Sequence, residues 1–304
     1  MTAAVARKQG LRIQARIEER YGYLFISPWL IGFILLTGGP VLASLFLGFT
    51  LFDIVNAPRW IGVGNYVAMT QDFLFWIALK NTVVYSLSTV WVSLTGSFLI
   101  ALVLNRDIKG LSFFRTLFYL PSVISGVAVT LLWMWMFQPD FGIINQLLWS
   151  LFRIQGPRWF SADEWVMPSL IIMTLWGAGG SIIINLARLQ SIPTELYEAA
   201  EIDGAGAWRR LLNITLPLMT PVIFFQLIMG VIGSFQVFTV AYVVSGGRPT
   251  YGWLFYVLYL YRNGFEYYKF GYASAMAWIL LVILLSLTLL MFSTARRWVY
   301  YEAE

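Results

Sequence analysis

Residues 270–295 read FGYASAMAWILLVILLSLTLLMFSTA, a run without a single Asp, Glu, Lys or Arg. A helix that crosses the hydrocarbon core of a bilayer needs about 20 such residues, so this run predicts a transmembrane helix. Five further charge-free windows precede it, at residues 21–52, 81–105, 116–139, 165–187 and 211–247. The window at 211–247 is longer than one span needs. The sequence therefore predicts an all-α integral membrane protein with six transmembrane helices.

The composition supports a membrane protein. Of 304 residues, 59% are hydrophobic and 12% are charged, whereas soluble domains carry about 25% charged residues. Six long uncharged helices buried inside a soluble protein are the alternative, which this deficit disfavours. The chain has no Cys and no His. Disulfides, thiolate metal sites and the commonest general base are therefore excluded, and no metal site is expected.

The distribution of Lys and Arg predicts the orientation, because cytoplasmic connections carry more of them. Taking the connections alternately, thirteen of the 20 fall on the side of both termini: Arg7, Lys8, Arg12, Arg16, Arg20, Arg106, Lys109, Arg115, Arg188, Arg209, Arg210, Arg296 and Arg297. Seven fall on the other side: Arg59, Lys80, Arg153, Arg158, Arg248, Arg262 and Lys269. Both termini are thus predicted to be cytoplasmic. The net charge of +5 lies at the edges of apolar segments, which argues against nucleic acid as a partner.

Three parts are expected along the chain: a cytoplasmic tail at 1–20, a six-helix domain at 21–295, and a cytoplasmic tail at 296–304. The first tail lacks the short apolar core and the cleavage site of a signal peptide. Residues 4–20 suit either an amphipathic helix on the inner leaflet or a plain basic flank that fixes topology. The sequence leaves both open.

One inward connection, SIPTELYEAAEIDGAGAWRR at 191–210, differs from the others by its acidic residues. Pro193 is suited to the first turn of a helix, and residues 194–202 are good helix formers. Gly204 and Gly206 would end that helix or turn it sharply. Glu195, Glu198 and Glu201 recur every third residue. Such a stripe fits a basic cleft on another protein, or else a solvated helix beside lipid headgroups.

The same segment resembles the EAA loop of importer-type ABC permeases. Glu198-Ala199-Ala200 is followed after two residues by Asp203-Gly204-Ala205, and the later positions of the motif are also matched. These later positions are Leu211, Ile214, Leu216, Pro217 and Pro221, with Leu211 standing where the family usually has Phe. Other stretches are similar to the carbohydrate, maltose-permease-like group: residues 61–66, 81–82, 113–116, 120–121, 133–145, 190–193 and 245–249.

The resemblance implies a type I ABC importer permease fold in which the EAA loop, 191–221, contains a cytoplasmic coupling helix. It implies a multi-pass inner-membrane subunit beside lipid, with a second permease subunit in a heterodimer. Two cytoplasmic ATPase subunits and an extracytoplasmic solute-binding protein complete the complex. The residues implied to couple to the ATPase are Glu198, Ala199, Ala200, Asp203, Gly204 and Ala205. ATP and Mg would be used by that ATPase and no cofactor bound by this chain. In agreement, none of its four Lys is followed by Ser or Thr as a phosphate-binding loop requires.

The predicted spans carry no Asp, Glu, Lys, Arg or His, although intramembrane charges mark ion-coupled transport. A neutral, hydroxyl-rich solute such as a sugar fits better. The resemblance places substrate contacts at Trp176, Gly177, Gly180, Ser234 and Val237, and Gln236 and Tyr242 are polar neighbours. Alternatively, Gly177, Gly179 and Gly180 allow close helix packing and Trp176 fills space. The alternative solutes for a permease of the same ABC class are a polyol or a glycerol phosphate derivative. An ion-coupled secondary transporter would leave the EAA segment unexplained.

The charge asymmetry predicts that a reporter fused after Arg297 lies in the cytoplasm, where a fluorescent protein is active and alkaline phosphatase is not. Alkaline phosphatase and a fluorescent protein, fused in turn at that position, measure this. A matched pair of fusions after Gln155, in a connection of the opposite side, should give the reverse result. Phosphatase activity after Arg297 would contradict the predicted topology.

Overall fold

The computed structural model describes residues 2–106, 110–246 and 250–300, with side chains described from residue 18 onward. Several residues used in the sequence analysis lie outside the described residues. They are Lys109, which was counted in the charge asymmetry, the side chains of the basic tail before residue 18, and Gly247, Arg248 and Pro249 of the stretch 245–249. The choice between an amphipathic helix and a plain basic flank therefore stays open.

The described chain is almost entirely helical. The fifteen α-helices are α1 (Thr2–Phe33), α2 (Gly39–Leu47), α3 (Gly64–Gln71), α4 (Phe73–Leu104), α5 (Leu111–Val123), α6 (Gly126–Met136), α7 (Ile143–Phe152), α8 (Asp163–Trp176), α9 (Gly179–Gln190), α10 (Thr194–Ile202), α11 (Ala207–Arg210), α12 (Leu216–Phe235), α13 (Thr239–Ser245), α14 (Tyr256–Tyr261) and α15 (Phe270–Ala295). Short π-helical turns, Ile34–Gly38 and Leu211–Thr215, continue α1 into α2 and α11 into α12, and a third follows α14 at Arg262–Glu266. Two short strands, β1 (Thr50–Leu51) and β2 (Arg59–Trp60), pair antiparallel.

Four helical stretches are long and apolar enough to cross a membrane: Glu18–Leu47, Phe73–Leu104, Ala207–Ser245 and Phe270–Ala295. Two bent pairs, α5 with α6 and α8 with α9, satisfy the same test when each pair is taken together. Counting each pair as one span gives six in the described part of the chain, so the multi-pass, all-α architecture is confirmed. The last span has the bounds that the sequence predicts, 270–295.

Several predicted bounds differ from the helices. The first span ends at Leu47 and not at residue 52, because residues 50–51 pair with residues 59–60 as a hairpin. The second begins at Phe73 and not at residue 81, so Lys80 lies inside the helix. The third begins at Leu111 and not at residue 116, so Arg115 lies inside α5. The fourth runs on to Gln190 and includes Arg188.

The third predicted span is sharply bent. α5 and α6 meet at an angle of 102°, across Ile124 and Ser125, whose extended backbones have ψ of 139° and 136°. Pro121 near the end of α5 contributes, because its ring removes a helical hydrogen bond and clashes with the preceding turn. The fourth span bends by 46° at Gly177–Ala178.

The second span, α4, is the centre of the bundle and packs against α8, α9, α12 and α14. Its buried face carries hydroxyl groups at Thr82, Ser86 and Ser97. Thr82 Oγ1 accepts a hydrogen bond from the Tyr256 backbone N–H at 2.9 Å, Ser86 lies 2.7 Å from the Ser234 hydroxyl, and Ser97 accepts from Asn185 Nδ2 at 3.1 Å. Each hydroxyl therefore fixes a different neighbouring helix against α4.

At the N-terminal end of α4, Asp72 fixes the helix start. One carboxylate oxygen accepts a hydrogen bond from the Leu74 N–H at 2.9 Å, and the other accepts from the hydroxyls of Tyr259 and Tyr272. Partial burial opposes ionisation, but these hydrogen bonds outweigh it and hold the pKa of Asp72 below its usual value. The charged form that caps the helix is therefore retained at neutral pH, and its stabilisation is lost only in acid, as the pH falls through the lowered pKa.

Gly179 is the closest contact between the two bent spans, so a side chain there should destabilise the fold. A Cβ at Gly179 would lie 2.2 Å from the Phe118 carbonyl oxygen, whereas one at Gly180 would meet nothing within 4 Å. We expect Gly179→Ala to lower stability by about 1–3 kcal/mol and Gly180→Ala to leave it unchanged. Thermal unfolding of the purified variants in detergent measures this. Equal midpoints for the two would contradict the close packing of α5 on α9.

Candidate functional site

The acidic segment at 191–210 forms one short helix, α10, which spans Thr194–Ile202 as the sequence predicts. The helix ends through three backbone hydrogen bonds: Asp203 N–H to Ala199 O, Gly204 N–H to Glu201 O and Ala205 N–H to Ala200 O, at 2.8–3.0 Å. The last two hydrogen bonds form a Schellman motif, in which the first of the two donor residues adopts the left-handed conformation. Gly204 occupies that position with φ of 74°. The Asp203-Gly204-Ala205 sequence is thus a helix stop followed by a tight turn.

The base of α10 is attached to the spans on either side of it. The Tyr197 hydroxyl lies 3.0 Å from Thr215 Oγ1 at the start of the fifth span, and Ile192 and Tyr197 pack with Leu189 of α9 and Leu218 of α12. Arg188 Nε donates to the Leu218 carbonyl at 3.1 Å. The segment is therefore held as one unit with the inward ends of α9 and α12.

The opposite side of the segment is uncovered by the described chain. Ile202 and Trp208 are 87% and 74% exposed, and Glu195 and Glu198 are exposed on the same helix. The third carboxylate of the predicted stripe, Glu201, is engaged in an ion pair with Arg210 at 3.0 Å. The exposed surface therefore combines two unpaired carboxylates with two large apolar side chains.

The predicted substrate contacts fall into two sets in the structure, one used in packing and one exposed. Ser234 and Val237 are used in packing: the Ser234 hydroxyl bonds Ser86, and Val237 lies against the cluster around Trp253 and Phe255. Gln236 is exposed where the fifth span is interrupted between α12 and α13. Tyr242 is 41% exposed and stacks on Phe238, with ring centroids 5.3 Å apart.

Trp176, Gly177 and Gly180 lie at the bend of the fourth span. A Cβ at Gly177 would meet only backbone oxygens of its own helix, at 3.6 and 3.7 Å, and Gly180 faces open space. Of the three glycines, only Gly179 is therefore required for close packing between helices. Trp176 is 37% exposed and lines a cavity of about 630 Å³ between α4, α5, α6 and α8.

The sequence reasoning missed Trp133 of α6 as a member of this cavity. Its ring meets that of Trp176 edge-on, with centroids 5.8 Å apart, and is 4% exposed. Its indole N–H finds no acceptor in the described part of the chain, which is costly for a buried donor. Because Trp133 reaches Trp176 only through the bend between α5 and α6, no sequence spacing indicated it.

A second feature that the sequence did not indicate is a buried amide network at the same depth. Gln226 Nε2 donates to Asn185 Oδ1 and to the Ser181 carbonyl, each at 3.2 Å, and Asn185 in turn reaches Ser97. The network joins α4, α9 and α12, and it leaves the Gln226 Oε1 atom buried without a hydrogen-bond partner in the described part of the chain. Within the described residues, no group of His, Cys, Asp or Glu is placed to hold a metal ion.

Comparison with known proteins gives consistent results. Residues 93–299 match the model of the family described as binding-protein-dependent transport system inner membrane component. The chain is 45% identical to the probable ABC transporter permease protein YesP of Bacillus subtilis (strain 168), over 95% of this chain and 94% of that protein. It is 33% identical to the lactose transport system permease protein LacF of Rhizobium radiobacter, over 92% and 96%.

A solved structure is also similar. It is a bacterial alginate ABC transporter in complex with an alginate pentasaccharide-bound periplasmic protein. The matched chain superposes with a TM-score of 0.83 at 26% identity, and the match covers 93% of this chain and 96% of that one.

Proposed function

This chain belongs to the family of binding-protein-dependent transport system inner membrane components, and we propose that within it the chain is a permease of a sugar importer. It is a multi-pass membrane subunit of an ABC transporter and not an enzyme. The proposal concerns the solute, the orientation and the roles of individual residues.

The observation that carries the coupling role is the exposed surface of α10 and its turn. The segment is attached to α9 and α12 on one side and presents Glu198, Ile202 and Trp208 on the other. A rigid, acidic and partly apolar projection suits a cleft with basic and apolar groups. We assign this projection, with Ala199, Ala200, Asp203, Gly204 and Ala205, as the contact with a cytoplasmic ATPase, which makes both termini cytoplasmic.

The first span supports a second permease as partner. From Glu18 to Leu47 none of its residues is buried against the rest of the described chain. A neighbouring permease would cover one side of this helix and lipid the other. The alginate transporter structure is of a complex with a periplasmic solute-bound protein, and a corresponding extracytoplasmic protein would deliver the solute here.

A neutral sugar suits the open residues at the bends. Trp176 and Trp133 supply aromatic faces and an unpaired N–H, Gln236 and Tyr242 supply exposed polar groups, and Gly177 and Gly180 leave space. These groups are uncharged, as binding of a neutral hydroxyl-rich solute requires. In this proposal Ser234 and Val237 do not contact the solute but hold α12 and α13 in place.

Substitutions in the turn after α10 test the coupling role. Gly204→Asp forces a side chain into the left-handed region, at about 1–3 kcal/mol of strain, and should abolish ATPase association or substrate-stimulated hydrolysis while the chain still inserts. Glu198→Lys should have the same effect by reversing the charge. Gly206→Asp is the matched control: its φ is −67° and it precedes α11, where Asp is a favourable cap.

Co-purification of the ATPase with a tagged chain, and hydrolysis in reconstituted complexes, are the measurements. Wild-type values for Gly204→Asp and Glu198→Lys at normal expression would refute the coupling assignment. Failure of Gly206→Asp alone would place the contact on α11 instead.

Bulk at Gly180 tests the substrate path. Because a Cβ there meets nothing within 4 Å, Gly180→Trp should leave assembly intact but block the space beside Trp176 and reduce uptake by at least tenfold, equivalent to about 1.4 kcal/mol. Gly180→Ala should transport normally. Uptake from a panel of radiolabelled neutral sugars by cells that express each variant measures this. Normal uptake by Gly180→Trp would place the path elsewhere and leave the ATPase contact unaffected.

A further inference from the structure

The connection between α6 and α8 contains a short helix, α7, whose exposed surface the transport function does not use. α7 has 10 residues and is therefore about 15 Å long, half the thickness of the hydrocarbon core. It cannot span the bilayer. Its residues 143–152 carry no charge, whereas Asp140 precedes it and Arg153 and Arg158 follow it.

One side of α7 is fixed to the bundle. Ile144 and Leu148 pack against the cluster of Trp133, Phe137 and Trp159. Asn145 adds polar contacts: its Nδ2 donates to the carbonyls of Pro139 and Pro157 at 3.1 and 3.2 Å, and its Oδ1 accepts from Trp159 Nε1 at 2.7 Å. The rotation of α7 about its axis is therefore set by contacts within this chain.

The exposed side is itself divided into two stripes. Ile143, Leu147 and Leu151 recur every fourth residue along one edge, with 40%, 52% and 69% of their surfaces exposed. Gln146 and Ser150 form the adjacent edge and are also exposed. At about 100° per residue, these two edges lie side by side and away from the packed side. The exposed half of α7 is thus amphipathic.

The end of α7 adds a cation at the boundary. Arg153 ends the helix in the left-handed conformation, with φ of 57°, and its guanidinium lies 5.8 Å from the centre of the exposed Trp149 ring. Phe152 and Ile154, near the same end of the helix, are also exposed apolar residues. An aromatic ring, a cation and an apolar stripe are the groups that a protein places at the boundary between phospholipid headgroups and acyl chains.

We propose that α7 lies in the plane of the membrane surface, with Ile143, Leu147 and Leu151 in the acyl region and Gln146 and Ser150 in water. Both ends of α7 are joined to membrane-spanning segments on the same side of the bilayer, α6 and α8, so the apolar stripe continues their lipid-facing surface. Arg153 then meets the phosphate groups. The occupant of the stripe is phospholipid, and this assignment is independent of the solute and of the ATPase contact.

The chain contains no Cys, so single-cysteine variants report directly on the two edges. Leu147→Cys and Leu151→Cys test the apolar edge, and Gln146→Cys and Ser150→Cys are matched controls on the polar edge. Each full-length variant is spin-labelled and reconstituted into vesicles of phosphatidylethanolamine and phosphatidylglycerol. Collision rates with molecular oxygen and with a water-soluble nickel chelate give the depth of each label.

We expect labels at 147 and 151 to favour oxygen, at a depth of about 5–10 Å, and labels at 146 and 150 to favour the nickel chelate. Equal nickel accessibility on both edges would refute the proposal, since α7 would then lie in water. Low accessibility to both reagents at 147 and 151 would also refute it, because the stripe would then be covered by protein.

Maleimide labelling of the same variants in intact spheroplasts tests the chain within its own complex. We expect Gln146→Cys to react and Leu151→Cys to be protected, with the protection lost when lipid is replaced by a detergent that preserves the complex. Protection that persists in that detergent would assign the stripe to a partner protein and overturn the lipid assignment.

Discussion

The hydrogen bonds made by buried hydroxyl groups on α4 determine the arrangement of the bundle. Hydrocarbon offers no water to satisfy a polar group, so each must find its partner within the protein. Thr82, Ser86 and Ser97 do so by bonding α14, α12 and α9 in turn. Apolar packing alone selects helix neighbours weakly in lipid, because lipid tails are as apolar as the side chains. The hydroxyls therefore specify which helices adjoin α4.

That arrangement positions both candidate sites. Since α9 and α12 are fixed to α4, the end of α9 and the start of α12 lie close enough for α10 to be attached to both. Asn185 and Gln226 reinforce the pair from within, and Arg188 and Tyr197 do so at the inward end. The same fixed positions bring the bend of the fourth span beside the bend of the third, where Trp133 and Trp176 meet.

The parts of the fold that were predicted from sequence depend on local signals. The absence of charge located the spans, and the bounds of α10 and the turn at Gly204 followed from helix propensity and glycine positions. The parts that were missed depend on distant contacts. α4 starts early because Asp72 binds Tyr259 and Tyr272, nearly 200 positions away. The bends need Pro121 and the fit of Gly179 on Phe118. The family resemblance placed Ser234 among the substrate contacts, and its hydrogen bond to Ser86, 148 positions away, could not be read from spacing.

The 46° bend at Gly177–Ala178 gives the fourth span two independent attachments. Below the bend, α9 shares a cluster with α10 and α12; above it, Val166 and Leu170 of α8 share another with Trp253 and Phe255. α10 is therefore attached to the α9 half of the span, whereas the α8 half is attached to a different cluster. Two halves of one membrane helix thus belong to two separate packing units, and the bend is the place where those units meet.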